Sequence, residues 1–178
     1  MGRGFSLCCD RCGWTKSAHL GVGFFFPGVY ARTMEAAQAG KLGKRIRQFL
    51  DGHPDGALNA ENVLLHCENC GNLEYGQDLS MYVRNPDVPR GKQGRWSAAV
   101  PCEGADYVSP MELKRENTYV YYGPGHLCRK CGKPMRSISE EDLTEQMSGD
   151  PGHMDRTEIP CPKCGEPLRV DGPPVLWD

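Results

Sequence analysis

Short extended segments dominate the hydrophobic pattern of this chain, and glycine, proline or polar residues bound each of them. Phe5–Leu7 and Trp14–Leu20 flank a turn, which predicts a β-hairpin. Val63–His66 predicts a short buried strand, and Asn117–Tyr122 has the β-branched and aromatic composition typical of a strand. Further extended segments are predicted at 72–75, 78–83 and 168–170. Together they indicate a loop-rich fold.

Two segments favour helix. Arg32–Leu50 is rich in helix-forming residues, and apolar positions in its second half fall on one face. Those positions are Leu42, Ile46, Phe49 and Leu50. Gly40 and Gly43 weaken the middle of the segment, so we predict two short helices or a kink. A second, short helix is predicted to begin after Ser139, which would cap it, with acidic residues in its first turn.

An aromatic segment lies between the first hairpin and the first helix. It belongs to the longest apolar stretch, residues 22–30, which is interrupted by glycine and proline and is far shorter than the ~18 residues of a membrane span. We predict that Phe24, Phe25 and Phe26 lie in a strand that buries its aromatic side chains. The alternative interpretation is an exposed patch that contacts a partner.

One unit, Cys-x-x-Cys followed by Gly, occurs four times and uses eight of the ten cysteines. Two cysteines separated by two residues lie on a tight turn and can direct both sulfur atoms to one point. The glycine allows a positive φ, which a residue with a Cβ resists. Each unit therefore supplies half of a tetrahedral four-cysteine site of the kind that suits Zn²⁺. The eight candidate ligands are Cys9, Cys12, Cys67, Cys70, Cys128, Cys131, Cys161 and Cys164.

Four units make two sites, and they can be matched in three ways. Matching in sequence order closes the shortest loops, with 54 residues between Cys12 and Cys67 and 29 between Cys131 and Cys161. Loop-closure entropy rises slowly with length, so this argument is mild. We predict a first site formed by Cys9, Cys12, Cys67 and Cys70. We predict a second site formed by Cys128, Cys131, Cys161 and Cys164.

Other uses of cysteine are less consistent with this pattern. A single Cys-x-x-Cys can be a redox pair of the thioredoxin type, but four copies with the same glycine favour structural zinc. A disulfide framework is a further alternative. The sequence shows no signal peptide, and disulfides are rare in reducing compartments. We therefore expect two zinc ions per chain and a cytoplasmic protein.

The four units resemble the knuckles of zinc-ribbon and rubredoxin-like proteins, in which two CxxCG turns on β-hairpins hold one metal ion. The resemblance covers the knuckles and their flanking strands, and it implies metal binding without implying an activity. It also implies an alternative in which the second site holds iron and transfers electrons. Rubredoxins have aromatic residues around the metal, whereas residues 133–160 contain none, and this difference favours zinc.

Composition indicates a thin core. The 178 residues include 22 Gly and 14 Pro, and 39% are hydrophobic. A half-chain of about 80 residues buries a modest core and often needs a metal ion or disulfide to be stable. We predict a small α+β protein with two zinc-ribbon-like modules, each with a short helical insert. The predicted parts are an N-terminal module at 1–84, a Pro- and Gly-rich connecting segment at 85–116, and a C-terminal module at 117–178.

Net charge limits the choice of partner. The formal charge of −2 becomes about −6 when each four-cysteine site holds Zn²⁺ with four thiolates. This charge disfavours sequence-independent nucleic-acid binding, which depends on neutralising phosphates. A nucleic-acid-binding zinc-ribbon protein, the alternative, would use the basic segments 41–47 and 84–95. Because closed four-cysteine sites leave no coordination position for water, we predict that the protein is not an enzyme.

The favoured hypothesis is a structural zinc protein that acts as a scaffold for contacts with another protein. The candidates for its contact surface are Phe24, Phe25, Phe26, Tyr30 and Trp96, and we expect at least one of these aromatic side chains to be exposed. Cys8 and Cys102 have no partner in this pattern and are expected to be dispensable for metal binding. We expect His66, next to Cys67, to be a hydrogen-bonded neighbour of the site rather than a ligand.

Overall fold

The computed structural model describes residues 2–88, 107–148 and 156–177. These ranges contain eleven strands and four helices, which confirms the predicted α+β class. The helices are α1 (Phe26–Gln38), α2 (Lys44–Gly52), α3 (Pro110–Leu113) and α4 (Glu140–Ser148). The strands are β1 (Gly2–Cys8), β2 (Thr15–Leu20), β3 (Gly56–Leu58), β4 (Asn62–His66), β5 (Leu73–Gln77), β6 (Met81–Arg84), β7 (Tyr119–Gly123), β8 (Arg136–Ile138), β9 (Arg156–Pro160), β10 (Pro167–Val170) and β11 (Val175–Trp177).

Contacts within the chain divide it into two compact units, and each unit is assembled from separate stretches of sequence. The first unit comprises Met1–Phe24, Glu61–Asp78 and His126–Asp178. The second unit comprises Phe25–Ala60 and Leu79–Gly125. These units do not follow the predicted boundaries at 84/85 and 116/117, because strands from both ends of the chain hydrogen-bond to each other in the first unit.

The largest sheet of the first unit joins the two ends of the chain. Its strand order is β11-β1-β10-β9, and β2 also pairs with β1. The antiparallel register of β1 and β2 runs from Arg3 opposite Leu20 to Cys8 opposite Thr15, which confirms the predicted hairpin. Strand β10 pairs with the last residues of β1, where Leu7 lies opposite Val170. This pairing brings the start of the chain beside residues that come more than 150 positions later.

Strand β4 is the centre of a second sheet in the first unit, with the order β5-β4-β8. Both of its faces are buried, which explains its continuous apolar sequence. Leu64 packs into a main core that comprises Phe5, Leu7, Cys9, Ala18, Leu20, Leu64, Leu73, Ile138, Leu143, Ile159, Cys161, Leu168 and Val170. Its neighbours on the opposite face pack into a smaller core that comprises Val63, Leu65, Cys67, Cys128 and Met135.

Helix α4 covers part of the main core and begins where the sequence predicts. The backbone N–H of Ser139 donates to Asp142 Oδ2 at 2.7 Å, and the N–H of Asp142 donates to Ser139 Oγ at 3.2 Å. This reciprocal pair is a capping box, with aspartate in the place of the more usual glutamate. Leu143, one turn into the helix, is fully buried in the main core.

The second unit contains helices α1 and α2 and the three-stranded sheet β3-β6-β7. The predicted interruption of the 32–50 segment is confirmed, because α1 ends at Gln38 and α2 begins at Lys44. Gly40 and Gly43 lie between the helices with φ of 75° and 102°, a conformation that residues with a Cβ resist. Within the described ranges, no helix has both the length and the apolar composition needed to cross a membrane.

The prediction of a strand at Phe24–Phe26 is wrong. Helix α1 begins at Phe26, and the next residue is Pro27, whose fixed φ suits the first turn of a helix. Phe26 and Tyr30 are four positions apart and therefore share one buried face, with ring centroids 6.3 Å apart. Phe24 and Phe25 precede the helix and are 40% and 54% exposed.

Candidate metal centres

The four Cys-x-x-Cys-Gly turns have one common backbone geometry. In each turn the glycine N–H donates to the carbonyl oxygen of the first cysteine at 2.8–2.9 Å. The N–H of the first cysteine in turn donates to the carbonyl oxygen five residues later at 2.7–2.9 Å. These two bonds close a short hairpin, so both cysteine side chains project from the same tip. We call each such turn a knuckle.

Glycine is needed in the knuckle for its backbone conformation. The four glycines, Gly13, Gly71, Gly132 and Gly165, have φ between 66° and 78°. A Cβ at any of them would meet no heavy atom within 4 Å, so space does not restrict the residue type. The left-handed conformation itself costs an L-residue about 1–2 kcal/mol. The sequence-based explanation for this glycine is thus confirmed.

The outer cluster joins the first and last knuckles. It consists of Cys9, Cys12, Cys161 and Cys164, whose sulfur atoms all lie within 4.8 Å of one another. The sulfur atoms of Cys9 and Cys164 are 3.4 Å apart, and those of Cys12 and Cys161 are 3.6 Å apart. The first cysteine of each knuckle is buried in the main core, and the second is half-buried.

The inner cluster joins the second and third knuckles. It consists of Cys67, Cys70, Cys128 and Cys131, and its sulfur atoms also lie within 4.8 Å of one another. The distances are 3.4 Å between the sulfur atoms of Cys67 and Cys131 and 3.5 Å between those of Cys70 and Cys128. Cys67 and Cys128 are buried in the smaller core, whereas Cys70 is exposed.

The predicted matching in sequence order is therefore wrong, although the eight residues it used all belong to a cluster. The observed matching is nested: Cys12 and Cys161 are 149 positions apart, and Cys70 and Cys128 are 58 apart. Compared with the sequential scheme, the longer loops cost only about 1.5 kcal/mol in total, since each doubling of loop length adds about 0.6 kcal/mol. Pairing of β1 with β10 and packing of the main core outweigh this small difference.

Charges on the knuckles agree with the nested matching. Across the outer cluster, Arg169 lies 3.2 Å from Asp10 and Arg11 lies 3.8 Å from Glu166. The inner cluster has the same arrangement, with ion pairs of 3.5 Å between Arg136 and Glu68 and 3.9 Å between Arg129 and Glu74. Exposed pairs of this kind contribute about 0–1 kcal/mol each, so they favour the matching without determining it. The opposite charges of the facing knuckles are a sequence signal for the pairing that the sequence analysis did not use.

Backbone N–H groups favour ionisation of the first cysteine in two of the knuckles. Burial raises the pKa of the Cys9 thiol, but the N–H groups two and three residues further along and the neighbouring sulfur atoms outweigh it, so the pKa falls to about 7. The same balance lowers the pKa of Cys128 to about 6. Each cluster therefore contains a cysteine that ionises readily.

A second cysteine in each cluster resists ionisation. At Cys70 and Cys164 the N–H group two residues further along favours the thiolate. Partial desolvation of each sulfur atom and hydrogen bonds to the three neighbouring sulfur atoms oppose it and raise both pKa values to about 12. Four thiolates so close together repel one another, and a divalent cation at their centre stabilises all four. The four sulfur atoms of each cluster can therefore all be thiolates when a divalent metal ion is bound.

The sulfur spacing also fits a metal ion. A tetrahedral site with metal–sulfur bonds of about 2.3 Å places its sulfur atoms about 3.8 Å apart. The shortest distances in the two clusters, 3.4–3.6 Å, are near this value and much longer than the S–S bond of a disulfide, which is about 2.05 Å. Each cluster can hold one metal ion and fits a zinc-ribbon-like site. Comparison of the chain with protein-family models, curated proteins and solved structures finds no match.

The remaining candidates lie outside the clusters. Cys8 is half-buried at the end of β1, and burial raises the pKa of its thiol. His66 precedes the inner cluster and is not among its ligands, as predicted. Its expected hydrogen bond is absent at one ring nitrogen, because Nε2 is buried without a partner among the described residues. Cys102 and Trp96 lie outside the described residues.

Proposed function

We propose that each cluster holds a structural zinc ion and that the protein is a scaffold for contacts with another protein. The observation that supports zinc is the convergence of eight cysteines, in two groups of four, from knuckles with identical backbone hydrogen bonds. Zinc accepts four thiolates in a closed tetrahedron and supplies no redox chemistry. Its role here would be to cross-link distant parts of the chain.

The proposal includes no catalytic activity. Catalytic zinc sites keep one coordination position for water or substrate, and a set of four thiolates fills every position. The ligands must stay reduced to bind metal, so the proposal places the protein in a reducing compartment such as the cytoplasm. Nine free cysteines among the described residues are compatible with that environment.

Exposed apolar side chains support a role in protein contacts. Phe24 and Phe25 expose 40% and 54% of their surface, next to each other at the start of α1. Phe26 and Tyr30, which the sequence analysis also named, are buried and belong to the core of the second unit instead. The Phe24/Phe25 pair is therefore the proposed contact surface from this aromatic segment.

The distribution of charge gives a specific reason to retain nucleic acid as a second candidate. The second unit contains eleven Lys and Arg and eight Asp and Glu, whereas the first contains ten and fifteen. The second unit is thus basic, and it includes both segments named above, 41–47 and 84–95. A net charge of +3 is small compared with the six to ten phosphate contacts of typical DNA-binding proteins. Protein remains the proposed partner.

Metal analysis of the purified protein tests the zinc assignment. We expect two zinc ions per chain and a colourless protein, and the matched variant Cys8→Ser should retain both. Iron bound in preference to supplied zinc would give a coloured protein and would replace the zinc proposal with the electron-transfer alternative. One or no metal ion per chain would contradict the two-site assignment.

Affinity capture tests the contact surface. The wild-type protein should retain a partner that the double variant Phe24→Ser/Phe25→Ser does not. Met111→Ser is the matched control, since Met111 is 82% exposed but lies elsewhere, on α3. Equal capture by all three proteins would remove the Phe24/Phe25 pair from the proposal. Binding of single-stranded oligothymidine that weakens steeply with salt would favour the nucleic-acid candidate.

A further inference from the structure

The inner cluster differs from the outer one in the exposure of its sulfur atoms. Cys70, in the second knuckle, is the one exposed cysteine among the described residues. Its counterparts at the same position of the other knuckles, Cys12, Cys131 and Cys164, are half-buried. The first cysteine of every knuckle is buried. A small reagent in solution can therefore reach the sulfur atom of Cys70 more easily than that of any other cluster member.

A buried cysteine of the facing knuckle lies next to Cys70. The sulfur atoms of Cys70 and Cys128 are 3.5 Å apart, and Cys128 belongs to the smaller core. The two sulfur atoms need to approach by only about 1.5 Å to reach the length of a disulfide bond. An exposed thiolate beside a second, less accessible one is typical of cysteines that react with oxidants and are then resolved by a neighbour.

The sheet β5-β4-β8 holds the two inner knuckles together. The second knuckle connects β4 to β5, and the third knuckle precedes β8. In the pairing of β4 with β8, His66 lies opposite Arg136, so the two chain segments that carry the knuckles are hydrogen-bonded close to the cluster. The backbone, and not the metal ion alone, thus keeps Cys70 beside Cys128. A bond between their sulfur atoms can form before the knuckles separate.

We propose that Cys70 is a site of oxidation by hydroperoxides and that a disulfide between Cys70 and Cys128 then replaces the inner zinc ion. The inference rests on the proposed function, because it concerns regulation of one of the proposed zinc sites. Cys67 and Cys131 stay reduced in this reaction. Two thiolates do not form the closed four-ligand site of structural zinc, so Zn²⁺ leaves the cluster.

The reaction has two steps. The Cys70 thiolate attacks one oxygen of the hydroperoxide, the O–O bond breaks, and a sulfenic acid forms while the other oxygen leaves as an alcohol, or as water when the oxidant is hydrogen peroxide. The Cys128 thiolate then attacks the sulfenic sulfur, and the remaining oxygen leaves as water. Two thiolates, one hydroperoxide and two protons are consumed. The two sulfur atoms lose two electrons in total, which reduce the peroxide, and zinc keeps its oxidation state.

Reduction restores the site. A small thiol attacks the exposed sulfur of Cys70 and releases the Cys128 thiolate, and a second thiol then displaces the first from Cys70. Two thiols become one disulfide of the reagent, and all four cysteines of the cluster are again able to bind Zn²⁺. A reducing compartment, which the proposed function requires, supplies such thiols.

The outer cluster should resist the same reaction. Its sulfur atoms are just as close, at 3.4 Å between Cys9 and Cys164 and 3.6 Å between Cys12 and Cys161. None of these four cysteines is exposed, and two of them are buried in the main core. Hydroperoxide should therefore release the inner zinc ion while the outer one continues to hold the two ends of the chain together.

Zinc release from the full-length protein loaded with two zinc ions tests the proposal. One equivalent of hydrogen peroxide should release one zinc ion per chain to a zinc-sensitive dye, roughly ten-fold or more faster than without peroxide. Cys8→Ser is the matched control and should behave like the wild type, since the half-buried Cys8 belongs to neither cluster. Cys70→His keeps a ligand that zinc accepts but has no thiol at this position. Peroxide should not accelerate release from this variant.

Disulfide mapping by alkylation and mass spectrometry gives an independent result on the wild type alone, so it holds even if Cys70→His binds zinc poorly. The oxidised protein should contain a Cys70–Cys128 disulfide, with Cys67 and Cys131 alkylated. Hydrogen exchange should show that β1 and β10 remain protected. Dithiothreitol and added Zn²⁺ should restore two zinc ions per chain.

Several outcomes would overturn the proposal. They are unchanged zinc release with peroxide, equal loss of zinc from both clusters, a disulfide that joins Cys70 to Cys67, Cys131 or Cys102, irreversible oxidation of Cys70, and fast release from zinc-loaded Cys70→His. Any of these in a protein that contains two zinc ions would leave the proposed function intact. A purified protein with fewer than two metal ions would contradict the proposed function, and this inference with it.

Discussion

The outer and inner clusters have the same knuckles but different surroundings. In both, two Cys-x-x-Cys-Gly turns face each other with sulfur atoms 3.4–3.6 Å apart at closest approach. Two cysteines of the outer cluster belong to a main core of thirteen buried residues drawn from both ends of the chain and from strands β4 and β5 in its middle. Cys67 and Cys128 of the inner cluster belong to a smaller core of five buried residues, and Cys70 of the same cluster is exposed.

This difference shows that identical metal-binding turns can stabilise parts of the fold that differ in size. The free energy of metal binding stabilises whatever part of the chain must fold to bring the ligands together. For the outer cluster that part includes the five-stranded sheet and the main core. For the inner cluster it is chiefly the tip of the β5-β4-β8 sheet, because Leu64 packs into the main core from the other face of β4.

The largest effect is expected from loss of the outer cluster. The double variant Cys161→Ser/Cys164→Ser should release one metal ion and unfold the main core of the first unit. Structural zinc contributes roughly 10–16 kcal/mol of apparent binding free energy, which is as large as the ~5–15 kcal/mol that stabilises a whole domain. Hydrogen exchange should show lost protection in β1, β10 and β4, with α2 and β6 still protected. Retained protection in β1 would contradict the central role of this cluster.

Loss of the inner cluster should have a smaller, local effect. Cys67→Ser/Cys70→Ser should also release one metal ion, but β1, β2 and β10 should remain protected from exchange. Protection should decrease in β5 and in the half of β4 nearest Cys67. If this variant unfolds as completely as the outer one, the two clusters belong to one cooperative structure and the comparison fails.

Replacement of the knuckle glycines should cost the same in both clusters. Gly71→Ala and Gly165→Ala each force an L-residue into the left-handed conformation, which should destabilise the protein by about 1–2 kcal/mol. Gly76→Ala is the matched control, because Gly76 has no positive φ and a Cβ there meets no heavy atom within 4 Å. Denaturant unfolding measures all three. A cost at Gly165 much greater than at Gly71 would show that packing, too, determines the need for glycine.

Metal exchange should distinguish the clusters by rate. The exposed Cys70 gives a chelator access to the inner site, whereas no cysteine of the outer cluster is exposed. Release to a coloured chelator should therefore have two phases, with the inner metal leaving several-fold faster. The phases can be assigned with Cys67→Ser/Cys70→Ser, which keeps the main core folded and should retain only the slow phase. A single phase in the wild type would indicate that exposure of Cys70 does not limit release.

Features that depend on a few neighbouring residues could be predicted from the sequence. The Cys-x-x-Cys-Gly spacing identified all eight cluster members, Ser139 was correctly predicted to cap α4, and Gly40 and Gly43 separate α1 from α2. The strand prediction at Phe24–Phe26 failed because a short, continuous apolar run has no periodicity that distinguishes a strand from a helix. Pro27 was the local signal for a helix start.

The sequence by itself determined the metal-binding turns, since each knuckle is closed by hydrogen bonds that span no more than five residues. Only the tertiary structure decided which knuckles meet and which apolar residues remain exposed. Loop entropy separates the matching schemes by only about 1.5 kcal/mol. The pairing of the knuckles is therefore determined by contacts between residues far apart in sequence. These contacts are the pairing of β1 with β10 and the packing of buried side chains in the main core around the outer cluster.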